Sequence, residues 1–209
     1  MTLNLQVAGE TPSAIIAQME SLHPGTKWVL REARRRAAHG KREIYEYQAA
    51  ALHVLASQYN RAGARILEIG TFWGYSAAVM AEAAPEAQIV TLNPKAHEVP
   101  IARQNLSAYL NVKVVEAFSW DYLKDCDGQT FDMIFVDGDH KRVTLDLPFW
   151  EHIVPGGLFL FHDYSPDETP RPCPAVYQAV NEFAFANGVI FDVLVVDDTG
   201  VGMAGFYKP

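Results

Sequence analysis

The chain has 209 residues, 49% of them hydrophobic and 20% charged, with a net charge of −8. That composition excludes a disordered or fibrous protein and fits one domain of ordinary size. Two cysteines, Cys126 and Cys173, are too few for a disulfide framework, and no apolar run reaches the roughly 18 residues of a membrane span. With no basic-then-apolar leader at its start, the chain is expected in the cytoplasm, where thiols stay reduced. The acidic balance argues against nucleic acid as a partner and for a small molecule.

The first 62 residues read as helical. Ser13 is placed to cap a helix with Ile15, Ile16, Met19 and Leu22 on one face, and Pro24-Gly25 break it. A basic helix follows. Residues 27–42 hold Lys27, Arg31, Arg34, Arg35, Arg36, Lys41 and Arg42, seven of the seventeen basic residues. The run reads either as a solvated helix face or as a patch for an anionic ligand or partner. A third helix, from about Lys41 to Tyr59, sets Ile44, Tyr47, Ala51, Val54 and Leu55 at helical spacing. Gly63 ends this region. Residues 1–62 are therefore expected as a helical cap, serving as a lid or as the interface of a homo-oligomer, and 63–209 as the main domain.

From Arg65 the pattern changes to α/β alternation. Apolar runs at 65–69, 88–92, 112–116, 131–136 and 157–162 read as buried strands, separated by helical stretches at about 75–84, 97–110, 141–152 and 173–187. Residues 189–197 and 201–207, joined by Asp198-Thr199-Gly200, read as an antiparallel hairpin at the sheet edge. The sum is an α/β fold: a doubly wound, mostly parallel seven-stranded sheet with an antiparallel C-terminal hairpin strand and N-terminal helices.

Such sheets bind ligands at the carboxyl ends of their strands. The strand at 65–69 runs into Gly70-Thr71-Phe72-Trp73-Gly74-Tyr75-Ser76. The spacing is neither the GxGxxG dinucleotide fingerprint nor a P-loop. Gly70 lets backbone approach a ligand, Gly74 permits a sharp turn into the helix, and Glu68 offers a carboxylate to a cationic group. The segment ILEIGTFWGYSA resembles motif I of the class I S-adenosylmethionine-dependent methyltransferases. The resemblance implies that Glu68, Gly70, Thr71, Gly74 and Ser76 bind the methionine part of the cofactor. It also implies an S-adenosylmethionine-binding domain over 63–209 with a Rossmann-like sheet. The second strand of that family usually ends in an acidic residue on the ribose hydroxyls; here Asn93 holds the position, and its amide can still hydrogen-bond both. Phe118 and Ser119, in the segment after the third strand, resemble the adenine contacts, with Phe118 or Trp120 as an apolar wall or as core.

Two further strand ends carry the chemistry. The fourth ends FDMIFVDGDHKRV, delivering Asp137, Asp139 and His140. The fifth ends GGLFLFHDY, delivering His162 and Asp163 to the same rim. Burying such groups without a partner is costly, so the cluster points to chemistry. An imidazole titrates near neutrality, so His140 suits a general base, and paired carboxylates can hold Mg²⁺. Over about residues 65–165 the chain resembles small O-methyltransferases of the macrocin and catechol type. That resemblance implies methyl transfer to a hydroxyl, with His140, Asp137 and Asp163 catalytic. It implies Asp137 and Asp163 as Mg²⁺ ligands, with Asp137 also at the cofactor. Tyr164 stands where a third, Asn ligand is typical, and a zinc site is disfavoured by the spacing of His140 and His162. The proline-rich loop 164–174, with Arg171, borders the expected acceptor site. Two other readings are an RNA methyltransferase, which the net charge opposes, and a non-catalytic cofactor-binding module, which the intact cluster opposes.

Overall fold

The computed structural model describes residues 2–37, 44–166 and 173–209. Lys41, Arg42 and Arg171, the start of the third expected helix and most of the proline-rich loop lie outside these residues. Eight strands form one sheet: β1 (Leu5–Glu10), β2 (Arg65–Ile69), β3 (Gln88–Leu92), β4 (Val112–Val115), β5 (Phe131–Val136), β6 (Ile153–Tyr164), β7 (Val193–Asp197) and β8 (Gly202–Tyr207). Their order is β1-β7-β8-β6-β5-β2-β3-β4. Every pairing is parallel except those of β8, which runs antiparallel to both β6 and β7.

The helices are α1 (Pro12–Leu22), α2 (Thr26–Arg36), α3 (Glu46–Ser57), α4 (Tyr75–Ala83), α5 (Val99–Asn105), α6 (Ser119–Lys124) and α7 (Pro174–Asn187). On one face of the sheet, Ile15, Met19, Leu30, Leu52 and Met80 of α1–α4 share a core with Met133 and Leu160. On the other, Phe149, Val176 and Val180 pack with Ile134, Phe159 and Phe206. Both faces of β5 are therefore covered, and all six of its residues are buried. This explains its near-continuous apolar run.

The doubly wound sheet matches the expected class, with four local corrections. The N-terminal region is not all helical, since Leu5 and Val7 alternate with exposed neighbours as a strand does, and β1 pairs with β7. That strand makes eight rather than seven and takes the edge from the C-terminal hairpin. Thr11 rather than Ser13 caps α1, its side chain accepting from the Ala14 N–H at 3.3 Å, and Pro12 takes the first turn, where its missing N–H is harmless. The helix expected at 141–152 is instead two 3₁₀ segments, His140–Leu145 and Leu147–His152, with Pro148 interrupting the ladder. The short α6 was not foreseen. Strand order reverses at β2, which lies between β5 and β3, so the crevice of the fold opens at the carboxyl ends of β2 and β5.

Candidate functional site

A cleft of about 530 Å³ opens at that crevice, within the usual range for small-molecule sites. Gly70, Asn93, Glu98, Phe118, Asp137 and His140 are among its walls. It thus joins the glycine loop, the ends of β3 and β4, and the rim above β5.

The glycine loop is held from beneath. Gly70 has φ +111°, and a Cβ there would lie 2.1 Å from the carbonyl oxygen of Asp137. Its lack of a side chain is therefore required by the neighbouring strand, not only by a ligand. Gly74 caps α4 in the left-handed region at φ +99°. Glu68 is fully buried and receives a hydrogen bond from the Thr91 hydroxyl, which itself lies 2.6 Å from the Thr71 hydroxyl. With Thr91 donating to the carboxylate, Thr71 must donate to Thr91. Burial pushes the Glu68 carboxyl up to about 7, against the hydrogen bonds of Ser76 and Thr91. Ser76 is buried at the start of α4 and, with Gly70, Thr71 and Asp137, lines a small recess closed by Ile44.

At the end of β3, Asn93 lines the cleft, but its amide is already engaged. Nδ2 donates to the Phe72 carbonyl at 3.2 Å and to Glu98 Oε2 at 3.1 Å, and Oδ1 accepts from the Lys95 N–H at 3.0 Å. The carboxylate that faces the cleft here belongs to Glu98, five residues further on, which also pairs with Lys95 at 3.1 Å. Sequence reasoning missed it because it stands at the N-cap of α5 and not on the strand. Phe118 stacks on Trp120 with centroids 4.5 Å apart and remains 44% exposed, so it is a cleft wall and not core. Ser119 is buried and its hydroxyl donates to Asp146, whose carboxyl burial raises to about 6.

The rim depends on a local fault in the sheet. Successive residues of a strand point to opposite faces, which would separate His162 from Asp163. The pairing of β6 with β8 slips between His162 and Tyr164, and Asp163 adopts φ +54°. A bulge of this kind re-aims side chains, and left-handed backbone at a non-glycine residue is concentrated at functional sites. As a result His162 Nδ1 lies 2.9 Å from Asp137 Oδ1 and 3.4 Å from Asp163 Oδ1. His140 completes the group from the first 3₁₀ segment. Its Nε2 is 3.4 Å from Asp137 Oδ1 and its Nδ1 3.5 Å from Asp163 Oδ2. Burial opposes charge on both Asp137 and His162, yet their mutual attraction prevails: the Asp137 carboxyl is held below its ordinary value and the His162 imidazole above.

Asp139 and Tyr164 stand apart from the cluster. Asp139 caps the 3₁₀ segment, accepting from the Lys141 N–H at 3.1 Å, and faces Arg142 at 3.6 Å. Tyr164 is buried with its hydroxyl 3.2 Å from Asn181 Nδ2 of α7, engaged there and not in the Asp137 cluster. Gln48 of α3 also reaches the rim, its Oε1 2.9 Å from His162 Nε2. Cys173, at the N-cap of α7, donates its thiol to Asp163 Oδ2 at 3.4 Å, and burial together with Asp163 pushes that thiol up to about 12.

Residues 67–164, which run from β2 through the glycine loop to the rim, match the family described as "Methyltransferase domain". No curated protein sequence matches the chain. Solved structures with the same fold include an O-methyltransferase of Bacillus cereus in complex with SAH, at TM-score 0.67 and 20% identity over 93% of this chain and 97% of that one. Another is the O-methyltransferase TomG of Streptomyces achromogenes, involved in tomaymycin synthesis and in complex with SAM, at 0.68 and 21% over 94% and 96%. A third is an SAH-bound methyltransferase of Podospora anserina, at 0.66 and 21% over 94% and 94%. Among the described residues no helix is long and apolar enough to cross a membrane. The matched segment carries the cleft and the rim: residues 67–164 are similar to a methyltransferase domain, and the sheet around them has the fold of these SAM- and SAH-bound structures.

Proposed function

We propose that this methyltransferase transfers the methyl group of S-adenosylmethionine to a hydroxyl of a small-molecule acceptor, at the rim formed by Asp137, His140 and Asp163. The observation that carries the reading is the continuity of one cleft from Gly70 to His140. A cofactor seated on the glycine loop would reach the part of that cleft where Asp137 and His140 meet.

The residues fit such a cofactor. The Gly70 backbone is bare, Glu98 offers a carboxylate to hydroxyls, and the exposed face of Phe118 offers an apolar surface to a base. Glu68, Thr71, Gly74, Ser76, Asn93 and Ser119 support the loop and cleft that would bind it, mostly by contacts among themselves and their neighbours. The cofactor supplies an electrophilic methyl group; the protein's part is alignment and proton uptake. An acceptor hydroxyl lying above Asp137 would lose its proton to the rim. His140 sits between Asp137 and Asp163, and the two carboxylates would stabilise the imidazolium formed.

The test is calorimetric titration of the chain with S-adenosylhomocysteine, followed by a screen of hydroxylated acceptors with labelled cofactor. Binding of the cofactor product and label in an ether linkage are expected. With the acceptor found, His140→Ala should lower turnover by about 10² to 10⁴, the usual contribution of a positioned base, with little change in cofactor affinity. Label appearing only on nitrogen or carbon would overturn the hydroxyl assignment.

A further inference from the structure

We infer that a second cleft, remote from the glycine loop, binds a small organic cation, an amine or amidine carried on a single ring, between the indole of Trp28, the imidazole of His53 and the carboxylate of Glu82. The cleft measures about 300 Å³, the lower end of the range for small-molecule sites and room for one ring. It lies where α1 ends at His23, α2 begins at Gly25, and α3 and α4 end near Ser57 and Ala83. α4 starts beside the glycine loop and its chain returns to the beginning of β3, so this cleft lies toward the amino ends of the strands. It shares no lining residue with the cleft at Gly70.

The histidines offer acceptors. His53 is 2% exposed, and its Nδ1 lies 2.9 Å from the Thr26 hydroxyl. That hydroxyl has one proton and gives it to the His23 carbonyl at 2.7 Å. His53 Nδ1 must therefore donate to Thr26, which leaves Nε2 a lone pair. Burial holds this imidazole at about 4, so it is neutral near pH 7. Nε2 makes no hydrogen bond among the described residues, and it is on the side of the ring left to the cleft. The His23 ring packs edge-on to it with centroids 4.7 Å apart, and His23 Nδ1 is buried with no hydrogen-bond partner among the described residues. Polar atoms in protein interiors are nearly always paired, so two bare nitrogens beside one cleft point to a ligand that carries N–H groups.

Glu82 supplies the charge. Its Oε1 accepts from the Tyr109 hydroxyl at 3.0 Å and stands 3.7 Å from Arg36 Nε, while Oε2 has no partner among the described residues. Among those residues no lysine or arginine lines the cleft. The start of α2 offers an anion nothing either, because the Glu20 carboxylate already accepts from the Gly25 N–H at 3.0 Å and the Lys27 N–H at 2.7 Å. Trp28 keeps 53% of its surface exposed at the cleft, and Pro24 and Pro85 add apolar wall. An indole face attracts a cation, and a carboxylate beside it strengthens each N–H bond the ligand makes. The walls thus accept hydrogen bonds, carry negative charge and cover a flat apolar body.

The probe is benzamidine, titrated into the full chain near neutral pH by calorimetry, with benzoate and benzyl alcohol as anionic and neutral counterparts of similar size. One equivalent of benzamidine should bind, benzyl alcohol should bind at least about 10-fold more weakly, the usual worth of a charge-assisted hydrogen bond, and benzoate should not bind. Trp28→Ala, at an exposed side chain, should weaken benzamidine by about 3- to 30-fold through loss of the cation–π face. Glu82→Gln and His53→Phe should each weaken it by about 10-fold or more, with folding checked by urea melts. Saturating S-adenosylhomocysteine should leave the affinity unchanged. Absence of benzamidine binding, equal binding of benzoate, full affinity in Trp28→Ala, or displacement by S-adenosylhomocysteine overturns the inference.

Discussion

Replacing Gly70 with alanine should unfold the site from its backbone outward. The substitution meets two obstacles. At φ +111° an L-residue is outside its ordinary allowed regions, which costs on the order of 1–2 kcal/mol. The new Cβ would also lie 2.1 Å from the Asp137 carbonyl oxygen and 2.6 Å from its carbonyl carbon. Those atoms belong to the end of β5, whose Asp137 N–H donates to the Ile69 carbonyl at 2.8 Å, so neither strand can yield without breaking that bond. Overpacking of this kind costs about 1–3 kcal/mol, and the sum of about 2–5 kcal/mol is a large part of a typical domain's 5–15. Gly74→Ala is the control. Its φ of +99° is as unfavourable, but the nearest atoms its Cβ would meet belong to the Leu106 side chain, at 2.8 Å, and not to backbone. That variant should lose only about 1–2 kcal/mol. Urea denaturation of both variants measures the difference. Equal losses, or a loss below about 1 kcal/mol at Gly70, would refute the argument that the neighbouring strand excludes a side chain there.

Other expectations are smaller in scope. Glu68 has a folded pKa of about 7 against 4.5, so it contributes stability that is present below pH 4.5 and lost as pH rises to 7. That loss approaches about 3 kcal/mol at 1.36 kcal/mol per unit, and Glu68→Gln should abolish its share of the slope in pH-dependent urea melts. His53 runs the other way. Burial holds it at about 4, so its contribution is present above pH 6.5 and lost as pH falls to 4, and His53→Asn should flatten that limb of the same melts. Asn93→Asp would remove both Nδ2 donations and set a second carboxylate beside Glu98. It should destabilise the fold by about 1–3 kcal/mol and weaken cofactor binding; unchanged melting and titration curves would show that these two bonds contribute nothing.

Much of the fold was legible in the chain because its signals are local. The buried strands β2, β3 and β5 announce themselves as short apolar runs bounded by turn residues, and the helix after Gly74 follows from spacing. The same is true of the glycine loop, whose two glycines both prove to need positive φ. Where competing local signals existed, sequence reasoning erred. Thr11 and Ser13 both precede an apolar stripe, and only the position of Pro12 separates them. The 3₁₀ turns around Pro148 keep helical spacing of apolar residues without the hydrogen bonds of an α-helix.

The site shows the other side. The sequence by itself established that Asp137, His140, His162 and Asp163 leave adjacent strand ends, since parallel strands deliver their carboxyl ends to one edge. It could not show that a bulge at Asp163 turns two consecutive side chains to the same place. Nor could it show that Gln48, 114 residues before His162, meets that imidazole's Nε2. The hydrogen bond from Ser119 to Asp146 was equally invisible, because the two residues are 27 apart in the chain and only the fold brings them together. Residue types and their order decide which groups can meet. Which nitrogen faces which oxygen, at separations of 2.9 or 3.4 Å, is decided by the tertiary structure, because hydrogen bonds and ligand fields change over tenths of an ångström and no local pattern in a chain encodes distance at that scale.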